Sequence, residues 1–234
     1  MNNMKTKSAI LSCLLGLGNL LACQPASALL IFQESFEGSN QYSVENGGQN
    51  GSDNFFAVVS NTSLNPGYTP ASVDGSNYFG GRDLNGFSSS APHRVTFDEV
   101  DLRGYRDLSL SIALSAAASD IYEAGDSITL DFSSDGGNSF TVLDKFSGAT
   151  GGARLSNGTD VLGETLFDVN YLLPDTLNSL VFRLQIDTFL AGNEVALFDN
   201  FRVEGIAAVP EPESVVLLGL GLIALRFAHA RQPA

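Results

Sequence analysis

The chain has 234 residues, of which 44% are hydrophobic and 16% are charged, and it contains 24 Gly, 16 Phe and no Trp. Its formal net charge is −14, and the segment 29–209 alone carries 24 acidic and 8 basic residues. The apolar content excludes a disordered chain. The negative field excludes nucleic acid and anionic membrane surfaces as partners of that segment, and suits calcium or cationic partners.

The N-terminus has the three features of a secretory signal peptide. Lys5 and Lys7 precede an apolar run over 9–22, and the sequence Ala-Ser-Ala at 26–28 supplies an Ala-x-Ala cleavage site. We therefore predict a signal peptide over 1–28 and an exported mature chain that begins with the next residue.

A lipid anchor at Cys23 is the alternative to ordinary cleavage, because the residues 20–23 resemble a lipobox. Leu21 fits that motif poorly, so cleavage without lipidation is favoured. Cys13 and Cys23 are the two cysteines of the chain, and both would be removed with the signal peptide. The mature domain would then rely on its core, or on a bound ion, instead of a disulfide.

Between residues 29 and 206 the sequence shows short alternating runs and no helical periodicity. The clearest run is 108–115, in which every even position is apolar, as in a strand with one solvated face. Clusters of Gly, Asn, Asp and Ser separate the runs. We predict one all-β domain over 29–206, an antiparallel β-sandwich of jelly-roll type. The predicted strands are 29–37, 54–59, 76–80, 93–98, 108–115, 128–133, 138–146, 165–170, 182–187 and 194–204.

A turn motif joins two of these runs at 133–140. Ser133, Asp135, Gly137 and Phe140 match the Asp-box pattern Ser-x-Asp-x-Gly-x-Ser/Thr-aromatic. An Asp at this place can accept hydrogen bonds from its own turn, and glycines supply positive φ. One copy does not make a sialidase propeller, which would repeat the motif, so a stabilised hairpin turn is the favoured interpretation.

Two carboxylates stand at apolar positions of the first and last predicted strands. Glu34 has the parity of Phe32, and Asp199 has the parity of Leu197 and Phe201. Because side chains alternate strictly in a strand that contains no bulge, both acids should point toward the core or its rim. Such a carboxylate needs compensation, either from loop amides or from a shared Ca²⁺ with oxygen ligands.

The same two segments, 34–37 and 198–203, resemble the terminal strands of calcium-containing, carbohydrate-binding-like jelly rolls. In those domains a Glu of the first strand and an Asp of the last help to hold a structural ion. The resemblance implies Glu34 and Asp199 as ligands of a structural Ca²⁺. Asp83 could add a further oxygen, although Gly-flanked acids are more often found in plain turns.

The mature chain lacks the side chains that most catalytic mechanisms require, and we predict no catalytic residue. His93 is its single histidine, which excludes a His-based zinc site, and no Gly-x-Ser-x-Gly elbow accompanies it. We interpret His93 as a solvated histidine at a strand edge. Carboxylate pairs for glycoside hydrolysis exist at Glu34 with Glu37 and within 98–101, but acid-rich chains offer such pairs by chance.

The C-terminus combines a rigid turn, a short apolar segment and basic residues. Val209-Pro210-Glu211-Pro212 is followed by Ser214, by the apolar run 215–225, and by Arg226 and Arg231. We predict a transmembrane helix over 214–228, shorter than the roughly 20 apolar residues that a stable span needs. The arginines favour the cytoplasmic side of the membrane.

This tail, 209–234, resembles the PEP-CTERM sorting tail, with the usual arginine cluster split in two. The resemblance implies a Gram-negative bacterium that makes exopolysaccharide and an exosortase that processes the tail. The protein would be anchored transiently in the inner membrane and then displayed on the cell envelope or released.

From these features we expect a non-catalytic protein associated with the exopolysaccharide of a biofilm. A glycan-active hydrolase and a purely structural matrix component are the two alternatives. The lack of Trp lowers the case for a stacking type of carbohydrate module, although five tyrosines could stack on sugars. They are Tyr42, Tyr68, Tyr78, Tyr105 and Tyr122.

Overall fold

The computed structural model describes residues 27–38, 40–51, 53–60, 68, 70–84, 92–117, 122–187, 194–208, 219 and 221. Within these residues the chain forms thirteen strands. They are β1 (Leu29–Glu34), β2 (Tyr42–Glu45), β3 (Gly48–Asn50), β4 (Asn54–Ser60), β5 (Asn77–Arg82), β6 (His93–Phe97), β7 (Val100–Asp101), β8 (Tyr105–Ala116), β9 (Ser127–Ser133), β10 (Thr141–Ser147), β11 (Phe167–Leu172), β12 (Ser179–Asp187) and β13 (Val195–Ala207).

The strands form two antiparallel sheets that pack into a sandwich, as the sequence predicts. The first sheet has the order β11-β8-β13-β5-β4-β3, and β1 continues the edge of β13 beyond β5. The second has the order β10-β9-β12-β6-β2, and β7 pairs with the start of β12. Each of the ten predicted runs contains a strand, and the short strands β2, β3 and β7 were not predicted.

Phenylalanine rings fill the space between the sheets. Phe79 stacks on Phe198 with centroids 4.9 Å apart, and Phe182 stacks on Phe201 at 4.7 Å, so each pair joins side chains from different strands. All four rings are fully buried. Stacked and tilted aromatic pairs add to the free energy gained from burying their area, so a Phe-rich domain without disulfides can draw its stability from this core.

Two adjacent glycines, Gly80 and Gly81, lie inside β5. A Cβ added at Gly80 would lie 2.6 Å from Leu197 Cδ2, and one added at Gly81 would lie 3.1 Å from Ile186 Cδ1. The predicted strand 76–80 therefore continues through both glycines, which allow β5 to approach its neighbours closely.

A bulge in β13 changes which side chains share a face. The pairing with β8 shifts register between Asp199 and Arg202, and Asn200 has a φ of 51°. Before the bulge, Leu197 belongs to a second apolar cluster on the outer side of the first sheet; after it, Phe201 belongs to the main core. The predicted common face of Leu197, Asp199 and Phe201 is therefore wrong, since a bulge adds one residue and reverses the alternation.

The predicted signal peptide and sorting tail fall almost entirely outside the described residues. Of the predicted helix over 214–228 the structure describes Gly219 and Gly221, and both are helical. Among the described residues, none forms a helix with the length and hydropathy needed to cross a membrane.

Candidate functional site

Glu34 ends β1 and is held by backbone amides. Its Oε1 accepts a hydrogen bond from the amide of Phe36 at 2.6 Å, and its Oε2 accepts one from the amide of Gln41 at 2.9 Å. The residue is 1% exposed and lies opposite Phe201 in the pairing of β1 with β13. Its position therefore belongs to the inner face of the first sheet, as the sequence predicts.

Asp199 is also held by amides, but on the other face of the sheet. Its Oδ2 accepts from the amide of Asp74 at 2.8 Å and its Oδ1 from its neighbour Asn200 at 2.7 Å. Burial raises the pKa of Asp199 to about 7, against the opposing effect of these hydrogen bonds. Asp199 shares the outer face of Leu197, whereas Glu34 lies opposite the core residue Phe201 on the inner face. The calcium ion predicted between Glu34 and Asp199 stays a prediction.

Asp83, the third predicted ligand, follows directly after β5. It has a φ of 45°, and its amide donates a 3.4 Å hydrogen bond to the carbonyl oxygen of Glu194. Asp83 therefore lies beside the chain that enters β13, whereas Glu34 lies further along that strand, opposite Phe201.

A group of three carboxylates at this end of the sandwich was not predicted. Glu123, Asp126 and Glu194 bring one carboxylate oxygen each within 4.8 Å of one another. Asp126 and Glu194 are each 1% exposed, while Glu123 is exposed. Three hard oxygen ligands at this spacing are suited to Ca²⁺, which commonly completes its shell with carbonyl oxygens and waters.

The fold holds the three acids through a short turn and a buried tyrosine. The Asp126 carboxylate accepts a 2.6 Å hydrogen bond from the amide of Glu123. The Tyr122 hydroxyl donates to the carbonyl oxygen of Val195 at 2.6 Å. Burial raises the pKa of Tyr122, and the charges of Glu194 and Asp126 raise it further. No sequence pattern indicates this group, since Glu194 lies 68 positions after Asp126.

The Asp-box residues form a hydrogen-bonded hairpin turn between β9 and β10. Asp135 accepts from the Ser133 hydroxyl at 2.6 Å, the Ser139 hydroxyl at 2.6 Å and the Ser139 amide at 2.9 Å. Bonds from Ser133 and then Ser139 lower the pKa of Asp135 to about 2. Gly137 has a φ of 87°, and the Arg183 guanidinium lies 3.7 Å from the centroid of Phe140. These contacts are those of a stabilised turn.

His93 lies in the core, so its interpretation as a solvated residue is wrong. It is 2% exposed, and its ring packs edge-on against Phe56 with the centroids 5.4 Å apart. His93, Val95 and Phe97 alternate along β6 and all face inward. Burial lowers the pKa of His93, although the charge of Asp187 opposes the shift.

Of the five tyrosines named above, Tyr105 lines an open cavity. Tyr78 and Tyr122 are fully buried. Tyr42 packs among Phe36, Phe79 and Phe97, and the Tyr68 hydroxyl lies 3.0 Å from that of Ser115. Tyr105 is half-buried at the start of β8.

The cavity beside Tyr105 forms one half of what we name the end groove. This half has a volume of about 460 Å³ and is lined by Ile31, Phe32, Glu99, Val100, Asp101, Arg103 and Tyr105. The other half has a volume of about 350 Å³ and is lined by Glu99, Asp101, Arg103, Asn178 and Ser179. The two halves meet at Glu99, Asp101 and Arg103. An aromatic ring beside several hydrogen-bonding side chains is the composition expected of a small-molecule or sugar site.

The carboxylate pairs considered for hydrolysis have other partners or the wrong arrangement. Glu37 accepts hydrogen bonds from the amides of Ser76 and Asn77, away from the amides that hold Glu34. Asp101 and Glu99 lie on one short segment of the groove. Hydrogen bonds from Arg103 lower the pKa of Asp101 to about 2, which opposes any role as a proton donor at neutral pH.

The sequence matches one protein-family model, described as the PEP-CTERM protein-sorting motif, over residues 208–232. This match confirms the predicted sorting tail and indicates a surface protein that is targeted to exosortase and exported. No curated protein is similar enough to the chain to count as a match.

Solved structures with a similar chain path are adhesin and carbohydrate-binding β-sandwich domains. The K2 cleaved adhesin domain of Lys-gingipain is 17% identical, with 74% of this chain and 96% of that chain covered and a TM-score of 0.43. The K3 domain from Porphyromonas gingivalis is 14% identical, with coverages of 76% and 99% and a TM-score of 0.45. A family 22 carbohydrate binding module from Clostridium thermocellum is 11% identical, with coverages of 78% and 97% and a TM-score of 0.40. Similarity at this level says nothing about what this chain binds.

Proposed function

We propose that this protein is a non-catalytic surface protein that associates with the exopolysaccharide of its own cell. The observation that supports it most is the sorting motif at 208–232 on a β-sandwich that carries an open groove. Exosortase processing would release the domain from the inner membrane, so that it acts at the cell surface or in the surrounding matrix.

The end groove supplies the contacts that a weak sugar site needs. Tyr105 offers an aromatic surface in one half of the groove, Asn178 and Ser179 offer hydrogen-bonding groups in the other half, and Glu99 lines both. Both halves of the groove are open, which suits a segment of polymer more than an enclosed small ligand. Weak binding at one site is multiplied when many copies are displayed on one surface.

The arrangement of acids favours binding over hydrolysis. Retaining and inverting glycosidases both require two carboxyl groups on opposite sides of the scissile bond, one of them protonated. In the groove, Glu99 and Asp101 share one segment, and Arg103 holds Asp101 ionised. A hydrolase on this scaffold is the second candidate, and release of reducing ends is its signature.

The proposal includes a structural Ca²⁺. Among the described carboxylates, Glu123, Asp126 and Glu194 form the group whose spacing fits a divalent cation. Three carboxylate oxygens this close together favour a bound cation, because a cation offsets their mutual repulsion. The pair predicted from sequence, Glu34 and Asp199, remains the competing location.

Retention by exopolymer tests the proposed function. The full chain, purified in mild detergent, is mixed with polymer from the producing cells and sedimented. We expect the protein in the polymer pellet, and about tenfold less of it after Tyr105→Ala, because a stacking contact of about 1 to 1.5 kcal/mol is lost. Tyr171→Ala, a half-buried tyrosine outside the groove, is the matched control. Protein that never sediments with polymer contradicts the proposal.

A further inference from the structure

The end groove contains one cation that is already neutralised. Arg103 Nε donates to Asp101 Oδ1 at 2.9 Å, and an Arg103 terminal nitrogen donates to Asp101 Oδ2 at 2.7 Å. This two-point pair uses both carboxylate oxygens and satisfies the planar fork of the guanidinium. Arg103 and Asp101 together therefore add no net positive charge to the groove for an incoming anion.

Glu99 is a charged side chain of the groove that has no partner among the described residues. It is exposed, it lines both halves of the groove, and the described residues give its carboxylate no hydrogen bond or ion pair. Tyr105 lines the half of the groove that Glu99 shares with β1. A ligand that lies along the groove thus meets a carboxylate and an aromatic ring together.

The surroundings strengthen the negative character of the groove. Arg106, the next basic residue along the chain, pairs with Asp107. The segment 29–209 has a net charge of −16, and a field of one sign acts on polymers beyond direct contact. A polymer of uronic acids would be repelled both by Glu99 and by the domain as a whole.

We propose that the end groove binds an amine-bearing glycan, in which an ammonium group pairs with Glu99 and the sugar lies against Tyr105. The inference rests on the proposed function and names the chemical class of the polymer. A carboxylate beside an aromatic ring attracts an ammonium twice, through the ion pair and through the negative face of the ring. Neutral glycans keep only the packing of the sugar against Tyr105, and uronates are in addition repelled by Glu99.

Three bead-bound glycans distinguish these classes: chitosan with free amines, neutral dextran, and polygalacturonate. The full chain is applied in mild detergent at mildly acidic pH, where amines are charged and exposed carboxylates remain ionised. We expect retention to fall in the order chitosan, dextran, polygalacturonate. Because an acidic protein adheres to any polycation, the order alone does not locate the site.

Two variants that each remove one negative charge, at neighbouring positions, locate the binding site. Glu99→Gln should reduce retention on chitosan about tenfold, whereas Asp98→Asn should leave it unchanged, since Asp98 is an adjacent exposed acid that lines neither half of the groove. Tyr105→Ala should reduce retention on chitosan and dextran alike.

The outcomes separate this inference from the proposed function. Equal retention of the Glu99→Gln and Asp98→Asn variants on chitosan, or stronger retention on polygalacturonate than on chitosan, overturns the amine-bearing ligand and leaves polymer association standing. A wild-type chain that no glycan and no native exopolymer retains overturns both.

Discussion

Removing calcium should destabilise the domain, because the buried Asp126 and Glu194 carboxylates then repel each other. Their oxygens lie within 4.8 Å, and at an effective dielectric constant of about 20 two unit charges at that distance repel by about 3.5 kcal/mol. A cation that binds only the folded state at about 100 times its dissociation constant adds about 2.7 kcal/mol of stability. For a domain of this size, that corresponds to about 5 to 10 °C in melting temperature.

The assay is a thermal melt of the full chain with calcium, with chelator and with magnesium. We expect the highest melting temperature with calcium and a smaller effect of magnesium, which prefers a tighter octahedral shell. Asp126→Asn removes the charge but keeps a side-chain oxygen that can accept the hydrogen bond from the Glu123 amide. This variant should lose the calcium effect.

Two results would refute this reasoning. Identical wild-type melting curves with calcium and with chelator would show that no ion stabilises the fold. A calcium effect that survives Asp126→Asn but disappears in Asp199→Asn would move the ion to the first and last strands. Asp98→Asn, which removes an exposed acid outside the three-carboxylate group, controls for the change in net charge.

Three further measurements test other parts of the account. The pH dependence of stability in urea should contain two opposing contributions: that of His93 falls as the pH drops below about 6.5, because burial lowers its pKa, and that of Asp199 falls as the pH rises from about 4 toward 7, because its pKa is raised. His93→Gln should remove the first contribution and Asp199→Asn the second, and slopes that neither variant changes would contradict the assignment. Gly148→Ala should lower the free energy of unfolding by about 1 to 3 kcal/mol, since its Cβ would lie 2.2 Å from the Glu123 carbonyl oxygen. Gly163→Ala, whose Cβ would meet nothing within 4 Å, should be tolerated. Equal urea unfolding midpoints for the two variants would show that the backbone around Gly148 yields to the added methyl group. Mass spectrometry of extracellular protein should find the apolar end of the sorting tail missing, and an intact C-terminus on all of it would contradict exosortase processing.

The sandwich could be predicted because its long strands obey simple alternation. In β8 and β12 the apolar positions repeat every second residue and face the core, which is the pattern that sequence reading detects best. The strands β2, β3 and β7 have two to four residues each. Tertiary pairing alone forms them, so no local pattern could reveal them.

The bulge at Asn200 shows where parity reasoning fails. One extra residue in β13 sends Asp199 outward and Phe201 inward, and nothing in the local sequence announces it. Asp199 is fully buried, with an exposure of 0%, but on the opposite side of the sheet from the one that parity predicts.

Sites that are assembled from distant segments of the chain could not be predicted from the sequence. Glu194 reaches Asp126 only because β13 and β9 begin at the same end of the sandwich, and the end groove joins β1, the segment 98–105 and the start of β12. The turn at 133–140 was predictable because all of its hydrogen bonds are local. The sorting tail was predictable because its three parts follow one another directly.

The most direct test of the central claim follows polymer binding and polymer cleavage in one mixture. The full chain is incubated with purified exopolymer from the producing cells, and both sedimented protein and newly formed reducing ends are measured over time. The account predicts that the protein sediments with the polymer and that reducing ends stay at the level of the protein-free control. Reducing ends that accumulate with wild type but not with Glu99→Gln would contradict it and make the protein a hydrolase.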